Sequence, residues 1–505
     1  MAGGAEIEVV HRTLSDHLPV LAVVLPLVAA PVCVLLRKPA LVRPFAIMVA
    51  WATLGISVSL LSTALGSGPI DYHVGGWAPP VGIAYRIDVV NAWVLVIVTA
   101  IASVTFPFGE GHENLDLDPS RVHLYYATLL LCLCGLLGMA ATGDAFNIFV
   151  FLEVSSLSSY ALIALGHKRQ ALRAAYSYLV MGTIGGTFFL IGVGLLFQST
   201  GTLNIVDLSE RVQPLLGSRT VVAAFAFLLV GLGIKLAIFP LHQWLPNAYT
   251  YAPAKVSAFL AATATKVGVY VLLRVLFGIF GVAFVFHTLR LEVLLLPMSL
   301  LAMFAGSLAA IAQTDIKRLL AYSSIAQIGY MTLGISFANI DGLTGSVLHL
   351  FNHALMKGGL FLVVACVNAR IGSSRVQDFA GLGRAMPLTM AAFVLGGLSL
   401  IGVPATVGFV SKWYLVIGAL ERGWPVVALL ILLSSLLAVV YVWRVLEVIY
   451  FKERPADAPE VCEVGWRMLA PTWILIGAAV YFGLRAELSS TVAIEAAKTL
   501  IGSVP

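Results

Sequence analysis

The chain has 505 residues, of which 60% are hydrophobic and only 11% charged, with a net charge of +5. Soluble domains carry roughly a quarter charged residues, so this composition excludes a soluble enzyme or a nucleic-acid-binding protein and requires a polytopic membrane protein. Most of the Lys and Arg surplus lies in short loops between apolar runs, where it bears on topology.

The N-terminal stretch MAGGAEIEVVHRTLSDH lacks the cationic start of a secretory signal, so the first apolar run is read as a retained anchor. A helix needs about 20 apolar residues to cross the hydrocarbon. Runs of that kind recur near 18–36, 44–66, 89–108, 122–141, 145–166, 173–198, 220–246, 254–280, 291–312, 317–338, 342–369, 386–420, 424–450 and 466–484, fourteen in all. Between the second and third, Ile70, Tyr72 and Val74 alternate, then Val81, Ile83 and Tyr85, around a Gly/Pro turn. That pattern predicts a small surface β-hairpin. The five cysteines, Cys33, Cys132, Cys134, Cys366 and Cys462, show no Cys-x-x-Cys spacing and are read as packing residues. No metal or cofactor motif appears, and no catalytic residue is assigned.

Loop charge sets an expected orientation. The loops after the odd-numbered spans carry sixteen Lys and Arg, Lys255 and Lys317 among them, against five in the opposite loops. Positive loops stay cytoplasmic, so both termini are expected on the other side. Six cations remain inside spans: Lys235, Lys266, Arg274, Lys357, Lys412 and Arg444. Arg274 and Arg444 lie near span ends, where a long side chain reaches the interface, and Glu447 is placed beside Arg444 as a surface pair. The four lysines are deeper. A buried lysine is able to lose its proton, whereas arginine is not.

Glu153, in NIFVFLEVSSLSSYALIALG, is the one acid squarely within a span, and an unpaired buried carboxylate is costly. Its partner should be one of the four lysines. Ser156 and its neighbouring hydroxyls are placed to solvate it. In SVLHLFNHALMKGGLF, His349, His353 and Lys357 recur at i, i+4 and i+8, on one helical stripe with about 6 Å between steps. That spacing suits proton transfer through single waters. Two histidines at i, i+4 also fit a metal or haem site or a hydrogen-bonded core pair, though no further ligand cluster accompanies them. The preceding span adds Ser323, Ser324, Gln327 and Tyr330 as lining groups.

Two spans contain proline breaks. GLGIKLAIFPLHQWLP holds Lys235 and Pro240, and GGLSLIGVPATVGFVSKWYL holds Pro404 and Lys412. They are the seventh and twelfth spans. Units starting five spans apart insert with opposite topology, and paired broken helices in inverted repeats point to an ion path near the midplane. Irregular backbone at that depth must be covered by protein or line water.

These segments, with LPNAYTYAPAKVSAFLAATATKVGVYVLLR, resemble the antiporter-like membrane subunits of Mrp-type multisubunit Na+/H+ antiporters, respiratory complex I and membrane-bound hydrogenases, and most closely the D-type subunits of the Mrp antiporters. The resemblance implies an all-α fold of about 14 transmembrane helices with two inverted five-helix repeats, spans 4–8 and 9–13, broken at spans 7 and 12. It divides the chain into residues 1–121 (spans 1–3 and the hairpin), 122–280 (first repeat), 291–450 (second repeat) and 451–505 (span 14 and a tail). It implies a proton relay running from Glu153 and Lys235 through Lys266, His349, His353 and Lys357 to Lys412. The expected activity is proton translocation within a monovalent cation (Na+)/H+ antiporter. The alternative is the proton-pumping membrane subunit of a redox complex, and a stand-alone carrier or scaffold is a third class. The resemblance implies a transporter subunit rather than an enzyme in its own right, without cofactors, held with other membrane subunits in the bilayer of a prokaryotic cell membrane.

Overall fold

The computed structural model describes residues 14–109, 119–166, 168–456 and 460–502; most of the N-terminal stretch read as lacking a signal lies outside them. A helix falls on every one of the fourteen apolar runs. The first third comprises α1 (Leu18–Leu36), α2 (Pro39–Ser67), a two-stranded hairpin of β1 (Ile70–His73) and β2 (Ala84–Ile87), and α3 (Val89–Thr105). Next come α4 (Val122–Ala141), α5 (Ala145–Ala164), α6 (Arg169–Thr200), the short α7 (Ile205–Val212), α8 (Arg219–Leu236), α9 (Trp244–Tyr251) and α10 (Ala254–Leu273). Beyond them lie α11 (Glu292–Ile311), α12 (Ile316–Ser336), α13 (Ile340–Ile371), α14 (Leu382–Ala385), α15 (Pro387–Ile401), α16 (Val407–Glu421), α17 (Pro425–Phe451), α18 (Trp466–Leu484) and α19 (Glu487–Gly502).

The protein is a multi-pass membrane protein. Among the described residues, eleven helices are long and apolar enough to cross a bilayer. The other three runs fall on the shorter α3 and α15 and on α12, which carries more polar residues. The hairpin is antiparallel, with Ile70 opposite Ile87 and Tyr72 opposite Tyr85. It is narrower than the alternation predicts: Val81 and Ile83 lie outside the strand and are exposed. Residues 487–502, expected as a tail, form α19, which packs against α3 and α13.

Burial is uneven, and this positions the site. In α13 every residue from Gly342 to Val367 is buried, and α10 is nearly as enclosed. Peripheral helices such as α1, α2, α6 and α17 keep an exposed apolar face. A helix wrapped by protein needs no lipid-compatible sector, so polar side chains fit on it when neighbours satisfy them. The central histidines and two of the lysines sit on these two enclosed helices.

Both predicted breaks are present. α8 stops at Leu236 with Ala237 left-handed (φ 58°), and the chain passes through the cis Phe239–Pro240 bond before α9. α15 stops at Ile401 with Gly402 left-handed (φ 89°), and α16 begins after Pro404 and Ala405. Left-handed residues close helix C-termini by returning an N–H to the last turn. The carbonyls left over need other donors, and they find them differently. Trp244 Nε1 donates to Ile234 O at 2.9 Å. At the second break the donor is Lys412.

Candidate functional site

The first group of site residues surrounds Lys235 on α8. Its Nζ donates to Ser156 Oγ on α5, while Ser156 donates at 2.5 Å to Leu152 O. Glu153, one residue before the partly exposed Val154, is half-buried and within electrostatic range of Lys235. The expected direct ion pair is absent among the described residues: the lysine is held by the serine, and Glu153 Oε1 is buried without a hydrogen-bond partner. The carboxylate has room because α6 carries glycine opposite it. A Cβ at Gly186 would stand 2.3 Å from Glu153 Oε1, and one at Gly182 would stand 1.8 Å from the Tyr160 hydroxyl. A cavity of about 30 Å³ lies between Lys235, Ser155, Ser156 and Ser159 and the α10 face carrying Ala264, Gly268 and Val271. That volume suits a single water.

Lys266 projects from the opposite face of α10, at about 200° on the helical wheel from Ala264 and Gly268. It is fully buried and its Nζ donates to Ala261 O. On that side it comes within electrostatic range of His349, His353 and Lys357 on α13. The structure therefore brings Lys266 together with the α13 stripe and leaves one helix thickness between it and Lys235.

The α13 stripe is as the spacing predicts. His349 and His353 stack with ring centroids 6.0 Å apart and planes 4° from parallel. His349 Nδ1 meets Ser411 Oγ at 2.8 Å, and Nε2 meets Gln327 Oε1 at 2.8 Å. Neither ring nitrogen of His353 has a partner among the described residues. Lys357 Nζ donates to Leu320 O at 2.8 Å and to Ser323 Oγ. No group of three or more His, Cys, Asp or Glu able to hold a metal occurs among the described residues.

Lys412 closes the row. Its Nζ donates to Ile401 O at 2.7 Å and Leu400 O at 3.3 Å, the freed carbonyls at the end of α15. That terminus is the negative end of the helix dipole, which favours a cation without a carboxylate. The ammonium also lies 4.8 Å from the Tyr330 ring centroid. Tyr330 in turn lies 5.8 Å, centroid to centroid, from His349. From Lys357 to Lys412 the groups thus follow one another closely, Lys266 lies within electrostatic range of the row, and all are buried.

Several contacts lay beyond sequence reasoning. Ser323, not Ser324, meets Lys357; Ser324 turns to Leu320 O of its own helix at 3.0 Å. Ser411 was visible only as the neighbour of Lys412. Lys255 and Lys317, counted as loop cations, are buried. Lys255 donates to Phe106 O at 2.5 Å and Tyr126 Oη at 3.2 Å, and Lys317 to Ala252 O at 2.6 Å. The charge bias keeps its sign without them. Arg274 does not reach for the interface but pairs with Asp88 at 2.5 Å. Arg444 donates to Ile311 O and Gln313 O rather than relying on Glu447.

The family described as "NADH:quinone oxidoreductase/Mrp antiporter, TM" matches residues 142–438. The chain is 46% identical over 452 residues, covering 88% of each protein, to the N-type subunit of the NADH-quinone oxidoreductase of Desulforudis audaxviator. It is 30% identical over 490 residues, covering 96% of this chain and 97% of the relative, to the D-type subunit of the Na(+)/H(+) antiporter of Bacillus subtilis. Among solved structures, a chain of the Mrp complex from a Dietzia species superposes with a TM-score of 0.89 at 25% identity, covering 97% of this chain and 98% of that one.

Proposed function

This chain belongs to the NADH:quinone oxidoreductase/Mrp antiporter family of membrane proteins, and from that premise we propose that it is the proton-translocating subunit of a multisubunit monovalent cation/H+ antiporter. The observation that carries the reading is the buried group Lys266, Lys357, His353, His349 and Lys412, which no ion pair among the described residues accounts for. Its partners are the other membrane subunits of the complex, in the cell membrane of a prokaryote, with both termini outside the cytoplasm. The two broken helices support a pair of inverted repeats, residues 122–280 and 291–450, each contributing one broken segment.

Function follows from electrostatics. Ionised Glu153 favours a proton on Lys235; a neighbouring membrane protein that alters the carboxylate releases that preference. The proton crosses α10 from the small cavity on one face to Lys266 on the other. Each further charge displaces the next along α13 until Lys412 discharges beside the break before α16. One pKa unit at each step is about 1.4 kcal/mol; in this reading the net driving force is a coupled cation gradient.

A second reading, the proton-pumping subunit of a redox complex, is favoured by the 46% identical relative. Vesicles containing the purified complex separate the two. Proton movement driven by a Na+ or K+ gradient, without NADH or quinone, supports the antiporter. Movement that starts only on adding electron donor and quinone assigns the redox complex.

A further inference from the structure

Two antiparallel helices beside the histidine stripe carry matching hydroxyl groups. On α12, Ser323 and Tyr330 are seven residues apart; on α17, Ser434 and Tyr441 are seven residues apart. Seven residues are two turns, about 10 Å, on one helix face. Because the helices run in opposite directions, Ser323 faces Tyr441 and Tyr330 faces Ser434 and Ser435. Tyr330 Oη lies 3.3 Å from Ser435 Oγ. Between the two rungs α17 carries only the small Ala438, on the same inner stripe as Ser434 and Tyr441. Ser323, Tyr330, Ser434 and Tyr441 are all buried, and the hydroxyls of Ser434 and Tyr441 have no hydrogen-bond partner among the described residues. Elsewhere α17 is largely an outward-facing apolar helix, so these hydroxyls are not a consequence of a polar environment.

The ladder ends where the histidine stripe ends. Lys357 Nζ donates to Ser323 at one rung, and Lys412 Nζ lies over the Tyr330 ring at the other. We propose that the Ser323–Tyr441 and Ser434–Tyr330 pairs form a second proton-conducting branch between Lys357 and Lys412, parallel to the path through His353 and His349. This proposal rests on the relay reading above. Buried polar atoms are nearly always satisfied, by protein or by ordered water, and orphaned hydroxyls in a row mark a strip that water is able to enter. Within a rung each hydroxyl accepts a proton from one neighbour as it passes its own to the next, and across the roughly 10 Å between rungs intervening waters beside Ala438 do the same. The O–H bonds formed and broken balance, and no charge rests on the ladder. The histidine path differs: a charge on His353 sits between Lys266 and Lys357 and is repelled by both.

Parallel and serial routes differ in how variants combine. The whole complex is reconstituted in vesicles and proton uptake is driven by a Na+ gradient, with Tyr441→Phe, His353→Leu and the double variant compared at equal assembly. Two parallel routes of similar capacity predict about a twofold fall for each single variant and roughly twentyfold or more for the double, beyond the ~fourfold product of independent effects. A double variant at or below that product overturns the branch. So does a double variant that transports at the rate of His353→Leu alone. Ser434→Ala repeats the test at the other rung should Tyr441→Phe fail to assemble. Lys412→Ala serves as the separate control: transport at the wild-type rate there sinks the relay itself, whatever the ladder does.

Discussion

His349 and His353 stack 6.0 Å apart on α13, yet they differ in bonding: His349 is tied at both nitrogens to Ser411 and Gln327, and among the described residues His353 is tied at neither. An orphaned buried polar group costs about 1–3 kcal/mol, so the two positions have opposite bearings on stability. His353→Leu is expected to keep or raise the thermal midpoint of the purified complex. His349→Leu leaves Ser411 and Gln327 without their partner and is expected to lower it. A fall of equal size in both would show that His353 is bonded in a way this geometry does not contain.

The carboxylate of Glu153 is positioned by a neighbour on another helix. Since a Cβ at Gly186 would meet Oε1 at 2.3 Å, Gly186→Ala displaces the carboxylate while leaving α6 helical. Its distance from Lys235 then changes, and one pKa unit of altered coupling corresponds to about tenfold in the proton equilibrium. Transport by Gly186→Ala should fall towards that of Glu153→Gln, with the complex recovered in normal yield. Full activity in Gly186→Ala would mean that the position of the carboxylate is immaterial.

The parts legible in the sequence are those with local causes. Apolar runs of bilayer length mark the helices because lipid imposes that length, and i, i+4, i+8 spacing puts His349, His353 and Lys357 on one face wherever the helix goes. The breaks announce themselves through Pro240 and Pro404. What escaped depends on distant atoms. Lys255 follows Pro253 at the start of a run and reads as a loop cation; only the Phe106 carbonyl and Tyr126, contributed from other parts of the fold, show it buried. α19 escaped because, with Glu487, Glu495 and Lys498, it is amphipathic and too short to span. The missing counter-charge for Lys412 escaped because it is not a side chain but the carbonyl end of α15.

That last contact separates charge from proton transfer. Lys412→Arg keeps a cation at the end of α15 beside the Ile401 carbonyl, but a guanidinium does not give up its proton in a protein. A role in helix capping alone survives the substitution; a role in discharge does not. Lys412→Arg is expected to assemble, with sodium-driven proton uptake reduced by about a hundredfold or more, as for loss of a proton-transfer group. Lys412→Ala should lose transport as well. Arginine supporting near-normal flux would show that the residue serves as a fixed charge.

The Asp88–Arg274 pair ties α3 to the π-helical turn that follows α10. Asp88 accepts from Val90 N at 2.9 Å and Asn91 N at 3.3 Å, and Arg274 Nε donates to Tyr270 Oη at 3.0 Å. Burial by itself pushes the Asp88 carboxyl up, but the Arg274 guanidinium and the two backbone N–H groups outweigh it and hold the carboxyl below its ordinary value. A folded-state pKa below the unfolded one contributes stability that is fully present above about pH 3.9. That contribution is lost as pH falls through the lower folded value. Asp88→Asn leaves Arg274 buried without its counter-charge, a change worth about 3–5 kcal/mol, and should lower the thermal midpoint at neutral pH. The difference between variant and wild type should shrink as the pH falls below about 4 and on through the lower folded value, because the unfolded carboxyl takes up its proton first and the folded one only at that lower value. A gap that stays constant down to the most acidic condition the detergent-solubilised protein tolerates would remove the ion pair as its cause.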